Sequence, residues 1–216
     1  MKKMILLFSF IVVSCTTNIQ KENPIKLFQQ DLIDKGLTGS NVAMVYQDGE
    51  IVYNEIVNSG AVGDADIDEN TIFAIHSMSK TVTTVAMMIL LEQNLYQLDD
   101  ELSKYLPEYS NVNCKGSDGI YPCKNKIKVI DLLTHRSGYT YYTRNGSNWL
   151  FNLHTDLEPY YISTTRFDNL DDFSKAVALQ PLDFEPGSMY TYGLNQAILG
   201  RLIEVISGKS FYGFLK

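Results

Sequence analysis

The spacing of apolar and polar positions changes several times along this 216-residue chain, and each change marks an element. Pro24 opens a segment in which Ile25, Phe28, Leu32 and Ile33 fall on one helical face, and Gly36 ends it. From Asn41 the pattern becomes Val42-Ala43-Met44-Val45-Tyr46, which reads as a buried strand. Asp48-Gly49 and then Ile51-Val52-Tyr53 follow. An Asp-Gly pair between two such runs predicts a two-residue hairpin, because both turn positions need positive φ. Residues 60–70 read as loop. The strand-like run Ile72-Phe73-Ala74-Ile75 then leads into Ser77-Met78-Ser79-Lys80 and a predicted helix over residues 77–91. Val82, Val85, Ala86, Ile89 and Leu90 mark its buried side.

Further along, residues 95–109 look like loop broken by Pro107, and residues 129–135 like a short helix stopped by Gly138. Residues 139–167 are aromatic and irregular and predict no element. Asn169 is placed to cap a helix running to Ala178, and Pro186-Gly187 makes a turn. Residues 194–206 form an amphipathic helix with Gly208 at its C-terminal cap. No internal repeat or low-complexity tract interrupts this order.

The first residues carry a different signal. Lys2 and Lys3 precede an apolar stretch over residues 4–13, too short for a bilayer span of roughly 20 residues. It ends in Val12-Val13-Ser14-Cys15, which resembles the bacterial lipoprotein cleavage box, with Cys15 as the lipidated first residue of the mature chain. Residues 1–14 are therefore expected to be a lipoprotein signal peptide, 15–24 a polar tether and 25–216 the folded domain. The expected location is the cell envelope, on the periplasmic side or outer surface, with attachment to the membrane through an N-terminal lipid.

Composition narrows the class. A hydrophobic fraction of 45% with 12% aromatic residues fits a globular chain. A net charge of -7, with no basic run longer than a pair, excludes nucleic acid as a partner, since phosphate neutralisation needs clustered Lys and Arg. Export also alters the reading of Cys114 and Cys123. They flank residues 115–122, and in an oxidising compartment a loop-closing disulfide is expected; two free thiols are the alternative. No His lies near enough to suggest a metal there.

The candidate chemistry lies at Ser77 and Lys80. Residues three apart share a helical face, so the two side chains can touch if Ser77 opens the helix. A hydroxyl is a poor nucleophile until a neighbour accepts its proton, and a lysine accepts one only if its surroundings bring its pKa toward neutrality. A Ser at a helix N-terminus also meets backbone N–H groups and a positive dipole end as negative charge develops. The bare S-x-x-K pattern is common by chance, and its null alternative is a capping Ser beside a solvated Lys.

Three segments in order add weight. The first, FAIHSMSKTVTTVAMMILLEQNLYQLDDELSKYLPEY, resembles the nucleophile helix and following loop of class C β-lactamase-related serine hydrolases. IKVIDLLTHRSG resembles that family's LLTHxSG signature, and PLDFEPGSMYTYGLNQAILGRLIEVISG the stretch with its second catalytic motif. The resemblance runs from about Gly39 to the end of the sequence. It implies an α+β, β-lactamase/transpeptidase-like fold, an antiparallel sheet flanked by helices plus a helical region. It implies an acyl-enzyme mechanism on an ester, a D-amino-acid peptide or a β-lactam, with Ser77 acylated, Lys80 as its proton acceptor and Tyr192 moving protons to the leaving group and activating water. Tyr190 is a rival two positions earlier. No cofactor or metal is expected, and the partner is a small-molecule or peptidoglycan-like peptide substrate.

Two departures from that family stand out. Its second motif is often Tyr-x-Asn, whose Asn binds a substrate amide, whereas here the third position is Leu194 and Asn195 comes one residue later. On a helix that step turns the side chain by about 100°, which favours ester or peptide cleavage over β-lactam hydrolysis. Its third motif, Lys-Thr-Gly or His-x-Gly on a late strand, has no match after Tyr192, so the chain is expected to be an N-terminal portion lacking the final strands, and inactive alone. The alternative function is a catalytically silent envelope lipoprotein that keeps the fold for binding or sensing. Other residues carry less. His135 is expected to be structural, not a triad member with Asp131, and His76 to point away from Ser77. His154 has no acidic partner at ligand spacing, and Tyr139, Tyr142, Trp149 and Phe151 could wall an aromatic cleft.

Overall fold

The computed structural model describes residues 23–141 and 167–216. The expected leader with Cys15, the expected tether before Asn23, and Tyr142, Trp149, Phe151 and His154 lie outside the described residues. The chain divides into two compact units, Met1–Ala74 and Ile75–Lys216.

In the first unit, Asn23 caps α1 (Pro24–Asp34) by accepting from the Ile25 N–H at 2.9 Å, and Pro24 takes the first helical position, where no N–H is required. The strands β1 (Asn41–Gln47) and β2 (Glu50–Val57) pair antiparallel. Asp48 and Gly49 both have positive φ, as their hairpin turn demands. The expected buried strand is not found: within this unit Val42, Met44, Val45 and Tyr46 are exposed, because the sheet has two strands and α1 meets it through polar groups. Gln29, the buried residue of α1, donates to Asn41 Oδ1 and to the Glu55 carbonyl and accepts from Tyr53 Oη, at 2.9–3.1 Å. Ile25 and Phe28, expected on a buried face, are exposed. Asp64 ties the following loop together by accepting from Ser40 and Ser59, and those hydrogen bonds hold its carboxyl below the usual range.

The second unit contains the hydrophobic core. The run before Ser77 is not a strand; Ile72, near the end of the first unit, is almost fully exposed, and Ile75, which opens the second, is exposed as well. The helix α2 (Ser79–Glu92) packs against α5 (Asn195–Ser207). Ala86 and Leu90 are buried as expected, but Thr83 and Met87 complete that face, and Val82, Val85 and Ile89 are 41–53% exposed. The sequence pattern could not separate these faces because α2 is apolar nearly all round. Ile198, Leu199, Leu202 and Ile203 of α5 meet Met87 and Leu90 in one core with Leu102, Leu106, Tyr109 and Leu132.

Around this core sit α3 (Val129–Leu133), α4 (Leu170–Ala178) and the short α6 (Phe211–Leu215). Asn169 caps α4 by accepting from the Asp172 N–H at 2.8 Å. Gly208, at φ +69°, ends α5 in the left-handed conformation that a glycine adopts without steric cost. A second hairpin, β3 (Asn113–Gly116) and β4 (Gly119–Pro122), was not anticipated, since its strands are only four residues long and include glycines and a proline. The Cys114–Cys123 disulfide closes it, with an S–S distance of 2.01 Å. Among the described residues no helix is long and apolar enough to cross a membrane.

Leu202 is fully buried on α5. Replacing it with Ala should lower the unfolding free energy by ~2–5 kcal/mol, seen as a lower urea midpoint at an unchanged m-value.

Candidate active site

Ser77 does not open α2. It lies in a single 3-10 turn, His76–Met78, immediately before the helix, where His76 takes φ +45°. Ser79 closes that turn by donating its hydroxyl to the His76 carbonyl at 2.6 Å. The tight turn leaves the Ser77 hydroxyl exposed, and Lys80, in the first turn of α2, reaches back to it: Lys80 Nζ is 3.1 Å from Ser77 Oγ.

Tyr192 comes from the other end of the unit, in the irregular stretch before α5. Gly187 turns the chain at φ +81°, and the Thr191 N–H donates to the His135 carbonyl at 2.9 Å. Just past Tyr192, a Cβ on Gly193 would lie 2.2 Å from the Tyr139 carbonyl oxygen and 2.7 Å from Thr140 Cα. Only a glycine permits that approach. Held on both sides, Tyr192 places its Oη 2.9 Å from Ser77 Oγ. The nucleophile candidate thus has Lys80 and Tyr192 at hydrogen-bonding distance together, 115 residues apart in sequence in the case of Tyr192. Tyr190, the rival, stands beside the His135 ring at 6.1 Å.

The electrostatics divide the two partners. Burial is the largest single influence on Lys80 and acts to lower its pKa. Hydrogen bonding to Tyr192 and the negative charge available on Tyr141 and Tyr192 outweigh it, so the net displacement is upward. The phenol of Tyr192 moves down, chiefly through hydrogen bonding with Lys80 and then with Ser77. Nζ also lies 4.9 Å from the Tyr192 ring centroid and 5.9 Å from that of Tyr141. A lysine acting as base needs the opposite displacement. The ionic form this geometry favours is an ammonium beside a phenol that ionises early.

The remaining sequence candidates fall elsewhere. Asn195 does not face the site: it is fully buried, donates to His135 Nδ1 at 3.0 Å and accepts from Ser137 Oγ. Asp131 accepts from the Lys128 N–H at 2.9 Å in the first turn of α3. The hairpin closed by Cys114 and Cys123 borders the segment that leads to Tyr192. Leu182 bridges to Cys114, the Glu185 carboxylate accepts from the Lys124 and Asn125 N–H groups, and Lys115 pairs with Asp183 at 2.6 Å. The sequence reading missed the His135–Asn195–Ser137 contacts and the requirement for Gly193. A Gly directly after a candidate catalytic Tyr was the available signal.

An exposed hydroxyl with a cation and an acidified phenol at its oxygen is equipped for nucleophilic attack on a carbonyl, with proton transfer within the cluster. Residues 26–216 match the family model described as Beta-lactamase. The chain is 30% identical over 189 residues to Esterase EstB from Burkholderia gladioli, covering 85% of this chain and 44% of that protein. Its fold is similar to that of EstCE1, described as a hydrolase with promiscuous acyltransferase activity, at TM-score 0.71 and 24% identity, covering 88% of this chain and 48% of that one. It is also similar to a penicillin binding protein from Bacillus halodurans, at TM-score 0.62 and 23% identity, covering 90% and 52%. The fold of these neighbours is that expected from the sequence. The chain spans less than half the length of the curated relatives it matches.

Gly193→Ala should displace Tyr192 or unfold the turn it sits on. The expected result is a loss of several kcal/mol of stability, read by thermal melting, together with slower reaction of Ser77 with an active-site phosphonate.

Proposed function

The chain belongs to the beta-lactamase family, and from that premise we propose that Ser77 forms an acyl-enzyme with an ester substrate, Tyr192 and Lys80 handling the protons. The observation that carries this reading is the convergence of Lys80 Nζ and Tyr192 Oη on Ser77 Oγ, at 3.1 and 2.9 Å. In the first step the Ser77 oxygen bonds to the carbonyl carbon as its proton passes to the ionised Tyr192. Tyr192 returns that proton to the departing alkoxide, and the carbon–alkoxide bond breaks. In the second step a water loses its proton to Tyr192 as it attacks the acyl carbon, and Ser77 leaves by regaining a proton from the same phenol. Lys80 remains an ammonium throughout. It lowers the cost of the phenolate and of the charge that develops on Ser77. This assignment moves the accepting role from Lys80, where the sequence reading put it, to Tyr192, because the Lys80 pKa is displaced upward and that of Tyr192 downward.

An ester is favoured over an amide or a β-lactam. Leu194 replaces the amide-binding Asn expected two positions after Tyr192, and Asn195 is occupied inside the fold. An ester has no N–H to recognise, and its alkoxide leaves more easily than an amine. The name of the relative EstB points the same way.

We further propose that the protein is an exported lipoprotein anchored through Cys15. The support is the order of its first residues: Lys2-Lys3, the apolar stretch, and Ser14-Cys15.

Two measurements test these readings. A fluorescent alkyl phosphonate should label the gene's full-length product, with whatever it encodes beyond residue 216, at Ser77, and Ser77→Ala should abolish the adduct; a label that persists in the variant refutes the nucleophile. The rate should rise with pH through the lowered pKa of Tyr192, below the usual phenol value of 10, and fall only above 10.5, where the raised pKa of Lys80 lets its ammonium go. Tyr192→Phe should cut the rate by roughly 10²–10⁴-fold and remove the rising limb. For the anchor, metabolic labelling with palmitate should give a lipidated product that Cys15→Ala does not.

A further inference from the structure

Next to Tyr192 lies a short chain of buried polar groups that the proposed chemistry does not use. Ser137 and Asn195 are both completely buried. Ser137 Oγ accepts from the Tyr139 N–H at 3.2 Å and donates to Asn195 Oδ1. The Asn195 amide N–H in turn points at His135 Nδ1, at 3.0 Å. The ring of His135 lies against Tyr192 with centroids 5.0 Å apart and planes at 31°. His135 itself sits at φ +56°, in the left-handed region, directly after α3. That conformation is uncommon outside glycine, and His is one of the few residue types that adopts it more readily.

Polar groups sealed in a core are costly unless each has a partner. Here every partner contributes to one result, the orientation of a single imidazole ring. With the Asn195 amide turned so that Oδ1 faces Ser137, its N–H requires a lone pair on His135 Nδ1. That is available only in the uncharged ring with its proton on Nε2. We infer that His135, held uncharged by Asn195 and Ser137, is a positioning residue that fixes the Tyr192 ring and leaves Lys80 as the cation that sets its ionisation. The inference rests on the acyl-transfer reading of Tyr192.

The surrounding charges agree. Among the described residues the titratable groups facing Tyr192 are Lys80 from α2, Tyr141 and His135, and those facing His135 are Lys80, Tyr190 and Tyr192. Burial first, and then the Lys80 charge, push the His135 pKa below its ordinary value, so the ring is neutral wherever Tyr192 is active. A second cation on this side would repel Lys80 and destabilise the ammonium that the phenolate depends on. The position of Asn195 follows from the same geometry. One residue from the substrate-facing place, and turned into the core, it contacts the general base's neighbour instead of the substrate.

The test uses His135→Asn, which tolerates the left-handed backbone, and Asn195→Leu, which removes the amide but keeps its branched shape. Folding of both is checked by circular dichroism and melting. Imidazole ¹⁵N NMR is practical with three histidines in the sequence. Wild-type His135 should show an unprotonated Nδ1 and titrate below the ordinary range, and Asn195→Leu should move that titration upward. In phosphonate labelling, the rate at saturating reagent should fall about tenfold or more in both variants, with the reagent's half-saturating concentration unchanged, as expected for a lost transition-state geometry. A protonated Nδ1 in the wild-type protein, or folded variants that label at the wild-type rate, would overturn the inference. If Ser77 of the wild-type protein takes no label at all, the acyl-transfer reading fails and this role falls with it. That outcome is distinguishable because it is visible before any variant is made.

Discussion

A positive charge and a phenol share one hydroxyl at the head of α2, and that shared contact sets what the rest of the second unit must do. Each partner alters the other: Lys80 lowers the pKa of Tyr192, and the charge available on Tyr192 raises that of Lys80. The arrangement works only if both side chains stay within about 3 Å of Ser77 Oγ, because charge-assisted contacts lose their value quickly with distance and with access of water. Lys80 meets the condition through local geometry, three residues along the chain from Ser77. Tyr192 has no such local route. It depends on tertiary packing, and the structure supplies it by docking the stretch before α5 on the turn at residues 135–140, where Gly193 lies against the Tyr139 and Thr140 backbone.

That docking explains why so many backbone exceptions gather in one region. His135, Gly138 and Gly187 have positive φ, and a Cβ on Gly138 would lie 2.6 Å from the Phe184 carbonyl oxygen. Asp183 donates its N–H to the Gly138 carbonyl, and Gly187 its N–H to that of Arg136. The two segments are laced by main-chain contacts where a regular sheet or helix would be expected to do the work. Close irregular packing of this kind requires glycines and left-handed residues. The disulfide-closed hairpin secures the far side of the same segment through Leu182 and Glu185.

How much of this was legible in the sequence depends on the range of the interaction. The Asp48-Gly49 hairpin, the Asn169 cap and the Gly208 cap were readable because each is decided within a few residues by φ and by side-chain hydrogen bonding. The pairing of Ser77 with Lys80 was readable for the same reason. The buried face of α2 was legible only in part: Ala86 and Leu90 were on it, but Val82, Val85 and Ile89 are at least as apolar as the buried Met87, and only the position of α5 distinguishes them. Tyr192 could be singled out by resemblance, not by chemistry, in a chain with 14 tyrosines. The direction of proton flow proposed for the site was beyond the sequence altogether. It turns on which partner's pKa rises, and that follows from burial and from distances in the folded state.

The displaced Asn195 connects the fold to the choice of substrate. A side chain that binds a substrate amide has to stay partly solvated and unsatisfied until substrate arrives, which is a cost the free protein bears. In this chain Leu194 takes the place of that Asn in the sequence but is itself buried in the core, and the amide one residue later is fully satisfied there by His135 and Ser137. On the reading proposed above, Asn195 supports Tyr192 from within the fold and does not meet a substrate, so the site would keep the means to activate Ser77 without a contact specific for an amide N–H. An ester needs no such contact, whereas an amide bound there would leave its N–H without the partner that an Asn would offer.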